Sequence, residues 1–150
     1  MLTSVPARQW WSMGVTEMIA GAAFGLGALM LAGEAVVHIQ QYVSVVHGVR
    51  WIGPLFLANA AASVAAIAGL AYPRTRPLAA LAGVVISVAA LASLIVSSGR
   101  GLFGYYDGGF RPAIELAVIT EVGAVILLSA GLAAMASLVH APSPKGAPRS

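Results

Sequence analysis

Four long apolar stretches divide the chain, at about Met13 to Val37, Ile52 to Tyr72, Leu78 to Val96 and Ala113 to Val139. Each comes close to or exceeds the ~20 residues that cross ~30 Å of hydrocarbon as a helix rising about 1.5 Å per residue. Apolar residues fill all sides of these stretches rather than one stripe, which predicts helices surrounded by lipid and by one another. Alanine and glycine recur throughout and allow close helix packing where no hydrophobic effect drives it. Gly21-Ala-Ala-Phe-Gly25 is a GxxxG match and a candidate helix–helix contact. The predicted fold is all-α: a polytopic membrane protein, built as a four-transmembrane-helix bundle over residues 1–140.

The connections are short. Tyr72-Pro-Arg-Thr-Arg-Pro77 reads as a tight turn between the second and third spans. Residues 97–112 (SSGRGLFGYYDGGFRP) form a longer loop rich in glycine and aromatics. Residues 141–150 (APSPKGAPRS) are rich in proline and serine and are expected to be a disordered cytoplasmic tail. No internal repeat at a fixed period is evident.

Composition agrees with the pattern. The chain is 59% hydrophobic and 9% charged, against about 25% charged in soluble domains. It contains no cysteine, which excludes disulfides, thiolate metal sites and cysteine nucleophiles. The net charge of +3 reads as a topology signal. With four spans, Arg8, Arg74, Arg76, Lys145 and Arg149 share a side with the termini, against Arg50, Arg100 and Arg111 on the other. The bias of five to three favours both termini in the cytoplasm, in the plasma membrane. Trp10, Trp11 and Tyr72 then fall at one interface. Trp51, Phe103, Tyr105, Tyr106 and Phe110 fall at the other. The first span exceeds the ~7–15 apolar residues of a signal-peptide core and contains Glu17, so it is expected to remain as a helix.

Polar chemistry concentrates in GEAVVHIQQYVSVVHGVRWIGPLF, residues 33–56. If the first helix continues past Val37, Glu34, His38, Gln41 and Tyr42 fall at i, i+4, i+7 and i+8 and share one face at its outer end. His47 and Arg50 follow near the turn. The 97–112 loop brings Arg100, Tyr105, Tyr106, Asp107 and Arg111 to the same end, with Glu115 one turn into the fourth helix. Three readings suit this cluster. It is a solvated polar cap, a metal site with Glu34, His38, His47 and Glu115 as candidate ligands, or a pocket for a lipid headgroup, quinone or small solute. Histidines would make such a site pH-sensitive near neutrality. His140 sits at the opposite end and cannot join.

Glu121 stands apart. It lies nine residues beyond Pro112, roughly 13 Å deep at about 1.5 Å per residue. A charged side chain there costs about 2.5–3.5 kcal/mol on insertion scales, so it should face the bundle interior, protonated or paired. Asn59 lies at a comparable depth and is a candidate partner; Thr120 is adjacent, and Ser87 or Ser93 of the third helix could contribute. Glu115 and Glu121, six residues apart, do not share a face. Glu17 is expected at the inner interface, near Arg8 or Arg76.

No catalytic constellation is present: no nucleophile-elbow serine, no HExxH, no phosphate loop, no nucleic-acid motif. No cofactor is required by the sequence, and enzymatic activity is not expected. Two function classes remain. One is an accessory or scaffold subunit packing in a homo-oligomer or larger membrane complex. The other is binding, or proton-linked transfer, of a small ligand (quinone, lipid or metal) at the extracytoplasmic polar end. Glu121 discriminates them, by facing a cavity or being sealed against Asn59.

His38-x-x-x-Tyr42 followed by Ile52-Gly-Pro-Leu-Phe56 resembles small four-helix integral membrane proteins of actinobacteria, similar in size and layout to the DoxX-like group. That resemblance implies the same four-helix layout and no established activity.

Overall fold

A computed structural model describes residues 7–106 and 112–140, with side chains from Gly14 onward. The tail 141–150 lies outside the described residues, as do Asp107, Phe110 and Arg111, and the side chains of Arg8, Trp10 and Trp11. Four helices run α1 Ala7–Gln41, α2 Ile52–Leu70, α3 Arg76–Gly99 and α4 Pro112–Val139, with a π-helical turn Tyr42–Val46 ending α1. All four are long and apolar enough to cross a membrane, with spans Gly14–Val46, Ile52–Leu70, Arg76–Gly99 and Pro112–Val139. The protein is an all-α, multi-pass membrane bundle. Among the described residues there is no strand, only an isolated bridge between Leu102 and Tyr105.

The order around the bundle follows the chain. α1 packs on α4 and α2, and α3 completes the square against the same two neighbours. α1 and α3 therefore face each other across the diagonal. Antiparallel neighbours joined by short turns give this up-down-up-down arrangement.

The inward faces share one spacing. In α1 the inner stripe is Phe24, Gly27, Leu31, Glu34, His38, Gln41, and in α4 it is Ile114, Ala117, Glu121, Ala124, Leu128, Gly131. Steps alternate between three and four residues. That is the seam of helices crossing at a shallow angle, with knobs seated in opposing holes. Leu128, fully buried, is the central knob. It fits against Gly27 of α1 and Gly83 of α3, where an added Cβ would lie 2.5 and 2.6 Å from its side chain. Side chains such as Met18, Val36, Ile95 and Ile126 point outward and are more than half exposed, as lipid-facing positions should be. Gly21 and Gly25 also face outward, with nothing within 4 Å of an added Cβ. The GxxxG motif is therefore not a helix–helix contact among the described residues.

Both ends of the bundle are tied by local chemistry. At one end Thr75 Oγ1 donates to Gly69 O at 2.7 Å and Arg76 Nε donates to Leu70 O at 2.9 Å. These bonds satisfy carbonyls that the end of α2 leaves open. Arg76 also lies over the Phe24 ring at 5.9 Å, while Glu17 is exposed. Pro77 and Pro112 sit in the first turns of α3 and α4, where no intrahelical N–H is needed. At the other end the π turn turns Val46 inward to 1% exposure. Gly53 of α2 fits beneath it, because a Cβ there would lie 2.8 Å from Val46 O. The loop after α3 folds on itself through paired Leu102 and Tyr105 backbone bonds of 2.8 Å each. Gly101 and Gly104, at φ of 78° and 81°, supply the left-handed conformations this tight turn needs.

Candidate functional site

The polar face expected at the water-facing end of helix one lies largely inside the bundle. α1 continues to Gln41 and then through the π turn to Val46. Glu34 is thus twelve residues below the end of the span, about 18 Å at 1.5 Å per residue. Glu34 is fully buried, and His38 and Glu121 are 7% and 2% exposed. The solvated-cap reading does not describe these two α1 residues.

Three helices build the cluster. Glu34 and His38, one turn apart on the α1 seam, face Glu121 on α4 and Ser87 on α3. Ser87 Oγ donates to Glu34 Oε2 at 2.7 Å, across the diagonal of the bundle. His38 Nδ1 lies 2.9 Å from Glu34 O. A carbonyl can only accept, so Nδ1 carries the proton and the neutral ring keeps its lone pair on Nε2. Nε2 points at Glu121 Oε1 across 3.9 Å, beyond the ~2.7–3.2 Å of a direct hydrogen bond. The ring rests on Phe56 of α2, centroid to centroid 4.9 Å. Glu34 Oε1 and Glu121 Oε2 are buried with no hydrogen-bond partner among the described residues. One ligand-type atom from each of Glu34, His38 and Glu121 falls within 4.8 Å of the others.

A cavity of about 340 Å³ opens from this cluster toward the loop end of the bundle. Its wall is mostly aliphatic, with Ile52, Ile86 and Leu94 among its members, and the Leu102–Tyr105 turn closes its far end. Its polar atoms come from His38, Gln41, Asn59, Ser93, Ser97, Tyr105 and Glu121. Glu121 therefore faces a cavity rather than being sealed against Asn59. Asn59 lies on the same wall but accepts a 3.4 Å bond from Ser63 of its own helix.

The remaining expected site residues disperse. His47, Arg50 and Glu115 are exposed. Arg50 stacks over Trp51 at 5.1 Å, and neither His47 nor Glu115 belongs to the carboxylate–histidine group. Equal height at one end of the bundle did not bring them onto the inner seam. Tyr42 is half-buried against Gly53 and does not line the cavity. His140 hydrogen-bonds Ala136 O of its own helix at 2.8 Å. Ser87, expected near Glu121, instead donates to Glu34, and the approach of Glu34 and His38 to Glu121 is what sequence reasoning missed. The signal was available: Glu34 and His38 continue the three–four spacing of Phe24, Gly27 and Leu31.

No protein-family model matches this chain, and no curated protein or solved structure matches it either. What the fold and the site define is a class: a multi-pass four-helix bundle with a buried carboxylate–histidine cluster at the base of an apolar cavity.

Proposed function

We propose that this protein binds a small lipophilic molecule with a hydrogen-bonding head, of the quinone or lipid class, in the cavity between its helices. The observation that carries the reading is the wall of that cavity. It is aliphatic over most of its area, with a few polar side chains set into it: His38, Asn59 and Glu121 at its deeper end, and Ser97 and Tyr105 toward the loop. Its volume of about 340 Å³ falls within the ~300–1,000 Å³ of ligand pockets, and a few placed polar groups in an apolar wall is the usual pattern of such sites. The apolar body would lie along Ile86 and Leu94, and the head would meet His38 and Glu121. The Lys/Arg bias favours both termini in the cytoplasm of a plasma-membrane protein, which puts the cavity in the extracytoplasmic half.

The test is extraction of the protein, purified in mild detergent, followed by mass spectrometry of what co-purifies. A lipophile near one equivalent per chain is expected, and it should be lost in Ala62→Phe, which fills the cavity from α2. Retention of the same molecule by Ala62→Phe would refute the assignment.

A second reading has its own support. Gly21 and Gly25 form a small-residue face on α1 that no described residue covers. Small-residue faces of this kind seat partner helices in membranes, so a scaffold role within a homo-oligomer or larger complex fits that face. The two readings concern different surfaces.

A further inference from the structure

We propose that Glu34, His38 and Glu121 form a binding site for one divalent transition-metal ion, with Ser87 as the hydrogen-bonding support of its Glu34 ligand. This goes beyond ligand binding in the cavity and does not depend on it, because the three donors come from the bundle itself.

Four observations converge. First, the donor atoms of all three residues lie within 4.8 Å of one another. Two ligands on a tetrahedral ion with bonds of ~2.1 Å sit roughly 3.4 Å apart. The 3.9 Å between His38 Nε2 and Glu121 Oε1 needs only about half an ångström of closure, within the reach of glutamate rotamers. Second, the histidine is set for ligation. Its Nδ1–H is held by Glu34 O at 2.9 Å, which leaves the Nε2 lone pair aimed into the cluster. Metal-bound histidines characteristically donate their other ring N–H in this way. Third, each carboxylate keeps one oxygen without a hydrogen bond among the described residues, Glu34 Oε1 and Glu121 Oε2, although both side chains are almost wholly buried. Glu34 Oε2 meanwhile accepts from Ser87 at 2.7 Å, the support that ligating carboxylates usually have. Fourth, two carboxylates, a neutral imidazole and a divalent cation sum to zero charge. A bundle interior bounded by lipid tolerates that sum far better than two bare carboxylates.

The donor set narrows the ion. One imidazole nitrogen with carboxylate oxygens suits Zn²⁺, Mn²⁺ or Fe²⁺. The chain has no cysteine to supply a thiolate, and oxygen donors argue against Cu⁺, while the imidazole argues against Ca²⁺ and Mg²⁺. Three protein ligands leave a coordination position open. His38 and Glu121 line the cavity, so that position faces the space the lipophile's head would enter.

The experiment uses the full chain in mild detergent, stripped with a chelator, desalted and titrated with Co²⁺. One equivalent per chain is expected, with ligand-field absorption in the visible that Zn²⁺ displaces. Glu121→Gln, nearly isosteric, should abolish the absorption while helicity and gel-filtration profile stay unchanged. Ser87→Ala should weaken Co²⁺ binding by about 10–100-fold, as loss of an outer-shell partner does. His47→Ala and Glu115→Gln should bind as the wild type does. Wild-type protein that takes up no Co²⁺ would overturn the site and leave protons as the cluster's only occupants. Full binding by Glu121→Gln, or loss of binding in His47→Ala, would overturn it too. Should Glu121→Gln fail to yield monodisperse protein, unchanged affinity in Ser87→Ala would overturn it alone. Ala62→Phe separates the two proposals, since it should lose the lipophile and keep the metal.

Discussion

Ser87→Ala removes a single oxygen from the centre of the bundle, and its cost can be worked out in advance. Ser87 and Glu34 are both fully buried, and the 2.7 Å bond between them is the hydrogen bond across the α1–α3 diagonal. Interhelical hydrogen bonds in membrane proteins average about 0.6 kcal/mol and reach about 1.7 kcal/mol, since the unfolded chain in the membrane also finds partners. Stranding a buried acceptor costs about 1–3 kcal/mol in general. Glu34 already has one oxygen without a partner, so loss of Ser87 Oγ leaves the whole carboxyl unsupported. The expected loss therefore lies toward the upper end of the membrane range, about 1–2 kcal/mol. The assay is unfolding of chelator-treated protein in maltoside micelles titrated with dodecyl sulfate, followed by circular dichroism. Glu34→Met completes the cycle. It removes the buried carboxyl, and Ser87 can turn to a carbonyl one helical turn back. In that background Ser87→Ala should cost close to nothing. A wild-type-like Ser87→Ala, within about 0.3 kcal/mol, would show that the bond contributes nothing and that the seam does not join α1 to α3 here. An equal cost in both backgrounds would show that the loss comes from somewhere other than Glu34.

Other outcomes test the packing and the topology. Leu128→Ala removes the knob seated between Gly27 and Gly83 and should cost about 2–5 kcal/mol in the same unfolding assay. Gly53→Ala would place a methyl 2.8 Å from a backbone oxygen, Val46 O, so it should destabilise the chain even though alanine is worth about 1 kcal/mol more than glycine in a helix. Gly25→Ala, with open space around it, should be neutral or stabilising by up to about 1 kcal/mol; destabilisation there, with a change in oligomer size by gel filtration, would place a partner on the GxxxG face instead. Single cysteines at Ser44 and Ser143 should label from opposite sides of the membrane with an impermeant reagent, and labelling of both from one side would refute the four-span topology.

The helices were legible because hydrophobic length is a direct physical requirement of the bilayer. The second and fourth spans differ by two residues or fewer from those expected, and the third extends two to three residues further at each end. The end of helix one was harder to read. Tyr42–Val46 forms a π turn, and a π turn breaks the 3.6-residue period on which face assignments rest. The polar set Glu34, His38, Gln41 and Tyr42 fits a solvated face and a buried seam equally well while each helix is read alone. Depth along a helix is countable, so Glu121 was expected well inside the fourth span and facing the bundle interior, and it lies there buried. Azimuth is set by neighbours, so Asn59, at comparable depth, stood as a candidate partner, whereas the structure brings His38 to Glu121. His47, Arg50 and Glu115 were expected at the same end of the bundle as Glu34 and His38, but an end spans several helix diameters and these three are exposed. Reading the three–four seam jointly across the four helices would have aligned Glu34 and His38 with Phe24 and Leu31, and Glu121 with Leu128.

The energetics of the cluster bear on why it is there. A carboxylate or other charged group at mid-helix costs about 2.5–3.5 kcal/mol on insertion scales, and this bundle places two glutamates within reach of one histidine, all almost wholly buried. Against that stands one interhelical hydrogen bond, worth about 1–2 kcal/mol at most, and a histidine–glutamate approach of 3.9 Å. Packing does not need these groups. The buried faces of α2 and α3 are built mainly of alanine, glycine and serine with Ile52 and Leu70, and they carry no ionisable group; Ala80 of α3 and Ala124 of α4 are fully buried. A leucine at 121, of similar volume to the glutamate, should relieve the burial of a carboxyl oxygen that has no hydrogen-bond partner among the described residues, as well-packed apolar replacement of buried charged groups often does. A polar cluster that costs more than its own bonds return, and that opens onto a cavity, is the expected signature of a site whose stability is completed by something bound. The prediction that follows is a difference in linkage. Zn²⁺ should raise the unfolding midpoint of the wild type and leave Glu121→Gln unmoved, while chelated Glu121→Leu should unfold later than chelated wild type. If Zn²⁺ stabilises both proteins equally, the ion acts elsewhere on the chain, and the cost of burying Glu34 and Glu121 must be met by protonation alone.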